Sequence, residues 1–261
     1  VAAAVAVHAP RADENAGSAL TQPLLGIGRT LSRTALGVTL DLASATARLS
    51  EAAVDVITGR ERSRAVLRVQ VLILRDEHGL PLATEQALRP ALARADQVLA
   101  SQAGVRVRVS NIRTLEGIPP AAALDPRANR GLALDQLFGR VDYYRRHLRD
   151  PAGGTHASLI GAPITVVVFR HISGRTTGCS LGISANWVIV QGSLFDSSAD
   201  HTYDETVLVH ELGHALNLPH HRSRSNMMFG ESSPPHLLRG TDLTRVQAGV
   251  INANRHVVPG R

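Results

Sequence analysis

Residues 204–229 read DETVLVHELGHALNLPHHRSRSNMMF. Apolar residues recur at helical spacing through the first half of this stretch, and His210 and His214 lie four positions apart within that pattern. Four residues are a little more than one helical turn, so both imidazoles project from one face and can ligate one metal ion. Glu211 neighbours the first histidine. There its carboxylate can reach a metal-activated water without itself becoming a ligand, and so can serve as general base. The metal expected of this pattern is zinc, which lowers the pKa of water toward about 7 and polarises a carbonyl.

Such a helix needs a third protein ligand, and His220 is the candidate. The helix is expected to end near Asn217, because Asn tolerates the left-handed conformation and Pro219 cannot extend a helix. The chain then turns back toward the metal. His221 stays open as the alternative ligand if the turn differs by one residue. A His-Glu-x-x-His core arises by chance in roughly two chains per hundred of this composition, and a further histidine six residues on lowers that to about one per thousand. The longer pattern, and not its core alone, carries the reading.

Composition sets the frame around this stretch. At 261 residues, 44% of them hydrophobic and 19% charged, the chain is long enough for one substantial domain with or without an appendage. Aromatic residues make up 3%, so the core is packed mainly by Ala, Val, Leu and Ile, and stacking platforms for nucleic-acid bases are scarce. The net charge of +6 comes entirely from arginine, with no lysine, and the arginines are scattered along the chain. No nucleic-acid partner is expected from such a distribution. Cys179 stands alone, which excludes an intramolecular disulfide. Residues 1–9, VAAAVAVHA, resemble the end of a signal-peptide apolar region, so a secreted or extracytoplasmic location is expected. No apolar run reaches the ~18 residues of a membrane span.

Along the chain, residues 1–64 read as an N-terminal extension with helical spacing over 30–57 and an arginine-rich linker at 60–64, either a pro-segment or a packing extension. From Ala65 onward the pattern is that of a regular domain, 65–261. A β-branched run around Val66 to Ile73 ends at Asp76-Glu77-His78-Gly79 and predicts a strand and turn. Leu88, Leu92, Ala95 and Leu99 predict a helix stopping at Gly104. Val105, Val107 and Val109 alternate with Arg106, Arg108 and Ser110, which predicts a strand in an antiparallel or edge setting. A helix through Leu134 to Leu148, carrying a surface cluster at Tyr143 to Arg146, and strands over Ile164 to Arg170 and Asn186 to Gln191 are expected next. Thr244 and Gln247 form a capping-box pattern for a last helix with Val246, Val250 and Ile251 on its apolar face.

HELGHALNLPH at 210–220 resembles the zinc-binding consensus HExxHxxGxxH of the metzincins, with Asn217 where that family usually has glycine. Asn is the next most permissive residue for positive φ. Asn226-Met227-Met228 resembles the family's Met-turn, with Met228 best fitting the key position and Met227 its one-residue alternative. The resemblance implies an α+β fold from about Ala65: a twisted mixed sheet, a zinc helix, a Met-turn and a C-terminal helix. It implies Zn2+ held by His210, His214 and His220, and a peptidase with Glu211 as general base acting on protein or peptide substrates. It also implies that Asn186 to Val190 forms the edge strand above the cleft, with a core strand around a packed Trp187 as the alternative reading. Phe229 stands where astacin-like members carry a tyrosine, so no phenol is expected to assist. The surroundings of Cys179, TTGCSLG, do not resemble a matrixin latency switch, and a buried small hydrophobe is the expected role. His201 and Asp204 are expected to belong to the start of the zinc helix and its cap. The competing function is a non-catalytic zinc-containing binding protein, and retention of Glu211 favours the peptidase.

Overall fold

The structure, a computed structural model, describes residues 65–120, 124–125, 160–172, 178–180, 186–198, 202–231 and 238–260. The expected N-terminal helices and export segment within 1–64, the helix over 134–148 with its tyrosine and arginine cluster, most of the glycine-rich segment before 186, and His201 lie outside the described residues. So does the side chain of Cys179.

Strand β1 (Ala65–Ile73) leads through the turn at 76–79 to helix α1 (Glu85–Ala103). Thr84 caps α1 by accepting from the Ala87 amide, and Gly104 ends it at φ 69°, the left-handed stop its sequence position predicts. Then come β2 (Val105–Thr114), β3 (Ile164–Phe169), β4 (Gly178–Ser180) and β5 (Trp187–Gln191). A 3-10 turn (Gly192–Phe195), helix α2 (Val207–Ala215), helix α3 (Arg245–Ala253) and β6 (Val257–Pro259) follow.

The sheet order is β2-β1-β3-β5-β4, with β6 also on β1. Neighbours along β2, β1, β3 and β5 are parallel. Two antiparallel pairs, β6 on the start of β1 and β4 on β5, make the sheet mixed. The result is a mixed α/β fold with few helices among the described residues. Strand β2 does lie at an edge, yet it runs parallel to β1. Its pairing shifts after Val69, so Ser110 falls outside the register and its hydroxyl donates to the Val69 carbonyl.

The expected edge strand is an inner one. Residues 187–191 lie between β3 and β4, and the three-residue β4 takes the edge on that side. Strand β5 is accordingly buried on both faces, with Val188 and Val190 toward one core cluster and Trp187 and Ile189 in another. Parallel strands covered on both faces read as continuous apolar runs, which is how β1, β3 and β5 read. The larger cluster joins Val69, Val71 and Ile73 to Leu88, Leu92 and Leu99 of α1 and to Leu208 and Leu212 of α2. This packing seats α2 against the sheet. Each fully buried leucine in it contributes about 1.5–3 kcal/mol.

Helix α3 carries the expected capping box, Thr244 with Gln247. Its apolar face is narrower than expected: Ile251 is buried, whereas Val246 is 76% exposed and Val250 is also exposed. The buried face is completed by the polar Gln247, for a reason that appears at the methionine turn. No helix among the described residues is long and apolar enough to cross a membrane.

Candidate metal centre

Helix α2 starts from a turn made by its own sequence. The Asp204 carboxylate accepts from the Thr206 amide at 2.8 Å and the Thr206 hydroxyl at 2.6 Å, and the Val207 amide bonds back to the Asp204 carbonyl. Asp204 thus does belong to the start of the helix, as expected. Along α2, His210 and Glu211 are buried and His214 is half-buried.

The end of α2 is a Schellman turn. The Leu218 amide bonds to the Gly213 carbonyl at 2.9 Å and the Asn217 amide to the His214 carbonyl at 3.0 Å, with Asn217 at φ 71°. Asn217 is the one non-glycine residue at positive φ among those described, and it stands at the departure from the glycine of the consensus. This turn sends the chain back so that the His220 Nε2 lies 3.1 Å from the His214 Nε2. The His210 and His220 rings stack, their centroids 5.4 Å apart.

His210, His214 and His220 together offer nitrogen atoms that all lie within 4.8 Å of one another, a set that can hold a metal ion. The donor chemistry fits one. The His210 Nδ1 faces the Met227 carbonyl at 2.9 Å and the His214 Nδ1 faces the Leu218 carbonyl at 2.8 Å. A carbonyl only accepts, so each Nδ1 carries the proton and each Nε2 keeps its lone pair for the shared space. The His214 and His220 Nε2 atoms, 3.1 Å apart, are close enough to share a cation or a proton. Burial strengthens the neutral state: it pushes the His210 imidazole down to about 2 and the His214 imidazole down to about 4, and it lowers His220 as well. His221 is turned elsewhere, its Nδ1 accepting from the Ser223 amide and its own amide bonding to the Met228 carbonyl.

Both methionines are buried beneath α2. A Cβ on Gly213 would meet the Met228 sulfur and the Met227 methyl, so the glycine between the two helical histidines lets the methionine turn come close. Met227 adds its carbonyl to His210, and Met228 lies against the helix backbone at Gly213. The turn itself is shaped by Asn226, whose Oδ1 accepts from the Met228 amide at 2.9 Å.

Glu211 is buried with its Oε2 lacking a hydrogen-bond partner. Burial pushes its carboxyl up to about 8, against the pull of Arg239 and with some help from Asp204. Arg239 is the residue the sequence reading missed. It is buried, its Nη2 lies 3.6 Å from Asp204 Oδ2, and its charge is one of the causes holding all three imidazoles low. Nothing in Leu238-Arg239-Gly240 has a motif spacing that would have singled it out.

No protein-family model matches the sequence, and no curated protein matches it in sequence. Among solved structures, metalloproteinase-II from Bacteroides fragilis is similar at 15% identity and a TM-score of 0.43, covering 72% of this chain and 52% of that one. Archaemetzincin from Methanopyrus kandleri is similar at 16% identity and a TM-score of 0.41, covering 72% of this chain and 94% of that one. A chain from a chaperone-substrate complex is similar at 12% identity and a TM-score of 0.43, with 73% of this chain and 34% of that one covered. The chain therefore spans about half the length of the first of these and about a third of the last.

Proposed function

We propose that this chain is a zinc-dependent peptidase of the metzincin type, with His210, His214 and His220 holding the metal through their Nε2 atoms. The observation that carries the reading is one buried carboxyl, Glu211, whose Oε2 has no hydrogen-bond partner, on the same helix as two converging imidazoles. A metal kept only for structure has no use for such a group, because a buried carboxyl without a partner costs stability. Catalysis does.

Zinc supplies, when bound, a Lewis acid that polarises a carbonyl and brings the pKa of water toward about 7. The Met227 and Leu218 carbonyls fix the tautomer and tilt of His210 and His214. In its ionised form Glu211, whose Oε2 carries no other hydrogen bond, takes a proton from the attacking water and returns it to the leaving amine. Met228 is the methionine of the Met-turn in this reading, packed under Gly213.

Metal analysis of the purified full chain, combined with a mass-spectrometric digest of a peptide library, tests the reading. About one zinc per chain and cleavage that stops with chelator and returns with zinc are expected. Stoichiometric zinc without cleavage would leave the non-catalytic binding protein, and a zinc-free chain would overturn both readings.

A further inference from the structure

The peptide group between Met227 and Met228 is gripped at both ends. Its N–H donates to Asn226 Oδ1 at 2.9 Å, and its carbonyl accepts from the His210 Nδ1 at 2.9 Å. A peptide group is planar, so a hold on the N–H also fixes the direction in which the carbonyl points. The tilt of the His210 ring is thereby tied to the side chain of Asn226.

Asn226 is itself held from outside the turn. Its Nδ2 donates to Gln247 Oε1 at 2.8 Å and its Oδ1 accepts from Gln247 Nε2 at 3.2 Å, and both side chains are buried. Each oxygen also accepts from a backbone amide, Asn226 Oδ1 from Met228 and Gln247 Oε1 from Thr244, so neither side-chain amide can turn over without losing a bond. One orientation satisfies every group. Gln247 stands on a fixed support, because Asn252 of α3 donates to the Ala103 carbonyl at the end of α1 and the Leu243 amide donates to Gln102 Oε1. The Met227 amide donates to the Asp242 carbonyl at 2.9 Å, a backbone tie between the turn and the approach to α3. An apolar side chain at position 247 would bury at lower cost on the face of Ile251, four residues on, but it would give Asn226 nothing to bond.

We infer that Gln247 is a positioning residue of the metal centre. It acts through Asn226 and the Met227–Met228 peptide group, which keep the His210 Nδ1 proton on the Met227 carbonyl and leave the Nε2 lone pair for the metal. The inference rests on the zinc reading of the three histidines.

The test compares the full chain carrying Gln247→Ala with one carrying Ile251→Ala, a buried change on the same helix whose side chain makes no bond to the turn. Competition with a chelator reads zinc affinity, and nitrogen NMR of the imidazole rings in the metal-free protein near neutral pH reads the tautomer of His210. Gln247→Ala is expected to raise the zinc dissociation constant by about ten-fold, the lower end of what disturbing a ligand's hydrogen-bond partner costs. It is also expected to replace the single Nδ1–H form of His210 by a mixture of tautomers. Ile251→Ala is expected to lower stability and leave affinity and tautomer at their wild-type values. If Gln247→Ala fails to fold, Gln247→Glu keeps the acceptor for Thr244 and for Asn226 Nδ2, loses the donor to Asn226 Oδ1 when ionised, and is read in the same two ways. Zinc affinity that ignores the change at Gln247, or that falls equally in Ile251→Ala, overturns this inference alone. A wild-type chain that binds no zinc overturns the zinc reading and this inference with it.

Discussion

The side-chain amides of Asn226 and Gln247 bond to each other in both directions, Asn226 Nδ2 donating to Gln247 Oε1 at 2.8 Å and Gln247 Nε2 donating to Asn226 Oδ1 at 3.2 Å. Gln247 Oε1 also accepts from the Thr244 amide, and Asn226 Oδ1 from the Met228 amide. One amide pair therefore joins the start of α3 to the turn whose Met227 carbonyl orients His210. Replacing Gln247 by Leu leaves the buried Asn226 Nδ2 without its partner and is expected to destabilise the protein by about 1–3 kcal/mol. Urea unfolding measures this. Unchanged stability would mean that the pair is dispensable.

His220→Ala is expected to reduce zinc affinity by more than the roughly 10–100-fold that follows from disturbing a ligand's hydrogen-bond partner. His221→Ala is expected to change it little, since the His221 ring is engaged with Ser223. Competition with a chelator of known affinity compares the two. Equal losses would reassign the third ligand.

Glu211→Gln is expected to keep zinc and fold while lowering peptidase turnover by about 100-fold or more, the usual worth of a positioned acid-base group. The amide cannot take up the proton. Single-turnover rates of the zinc-loaded variant give the answer, and wild-type rates would place the base elsewhere.

Gly240→Ala sets a Cβ against the Ser225 backbone carbonyl, which cannot yield as a flexible side-chain tip would. A loss of about 1–3 kcal/mol is expected from such overpacking. Thermal unfolding measures it, and an unaltered melting temperature would show that the segment adapts freely.

The metal-free protein is expected to be most stable near pH 6.5. Burial holds His210 down to about 2 and His214 down to about 4, from an ordinary 6.5, so below 6.5 the unfolded chain binds protons the folded one refuses. Stability then falls with acidity. Glu211, pushed up to about 8 from 4.5, acts in the opposite sense: the folded chain takes its proton first, and stability rises as pH falls from 8. Between 4.5 and 6.5 the two histidines outweigh the one carboxyl. Melting temperatures in chelator at pH 5, 6.5 and 8 check this, and a monotonic trend would contradict it.

The parts that the sequence by itself determined are those written within a few residues of chain. The pairing of His210 with His214 on one helical face, the left-handed turn at Asn217, the stop of α1 at Gly104 and the capping box of Thr244 and Gln247 all follow from periodicity or from backbone chemistry at single positions. The structure shows each of them where it was expected. Other features were decided by tertiary structure. Residues 187–191 read equally well as an inner or an edge strand, and the three-residue β4, with no strand signal of its own, made them inner. Val246 and Val250 have helical spacing, but spacing does not say what covers a face, and these two stay exposed. Arg239 meets Asp204 across 35 positions, and Gln247 meets Asn226 across 21. Such contacts depend on where the intervening chain is led, and a local pattern has no record of that path.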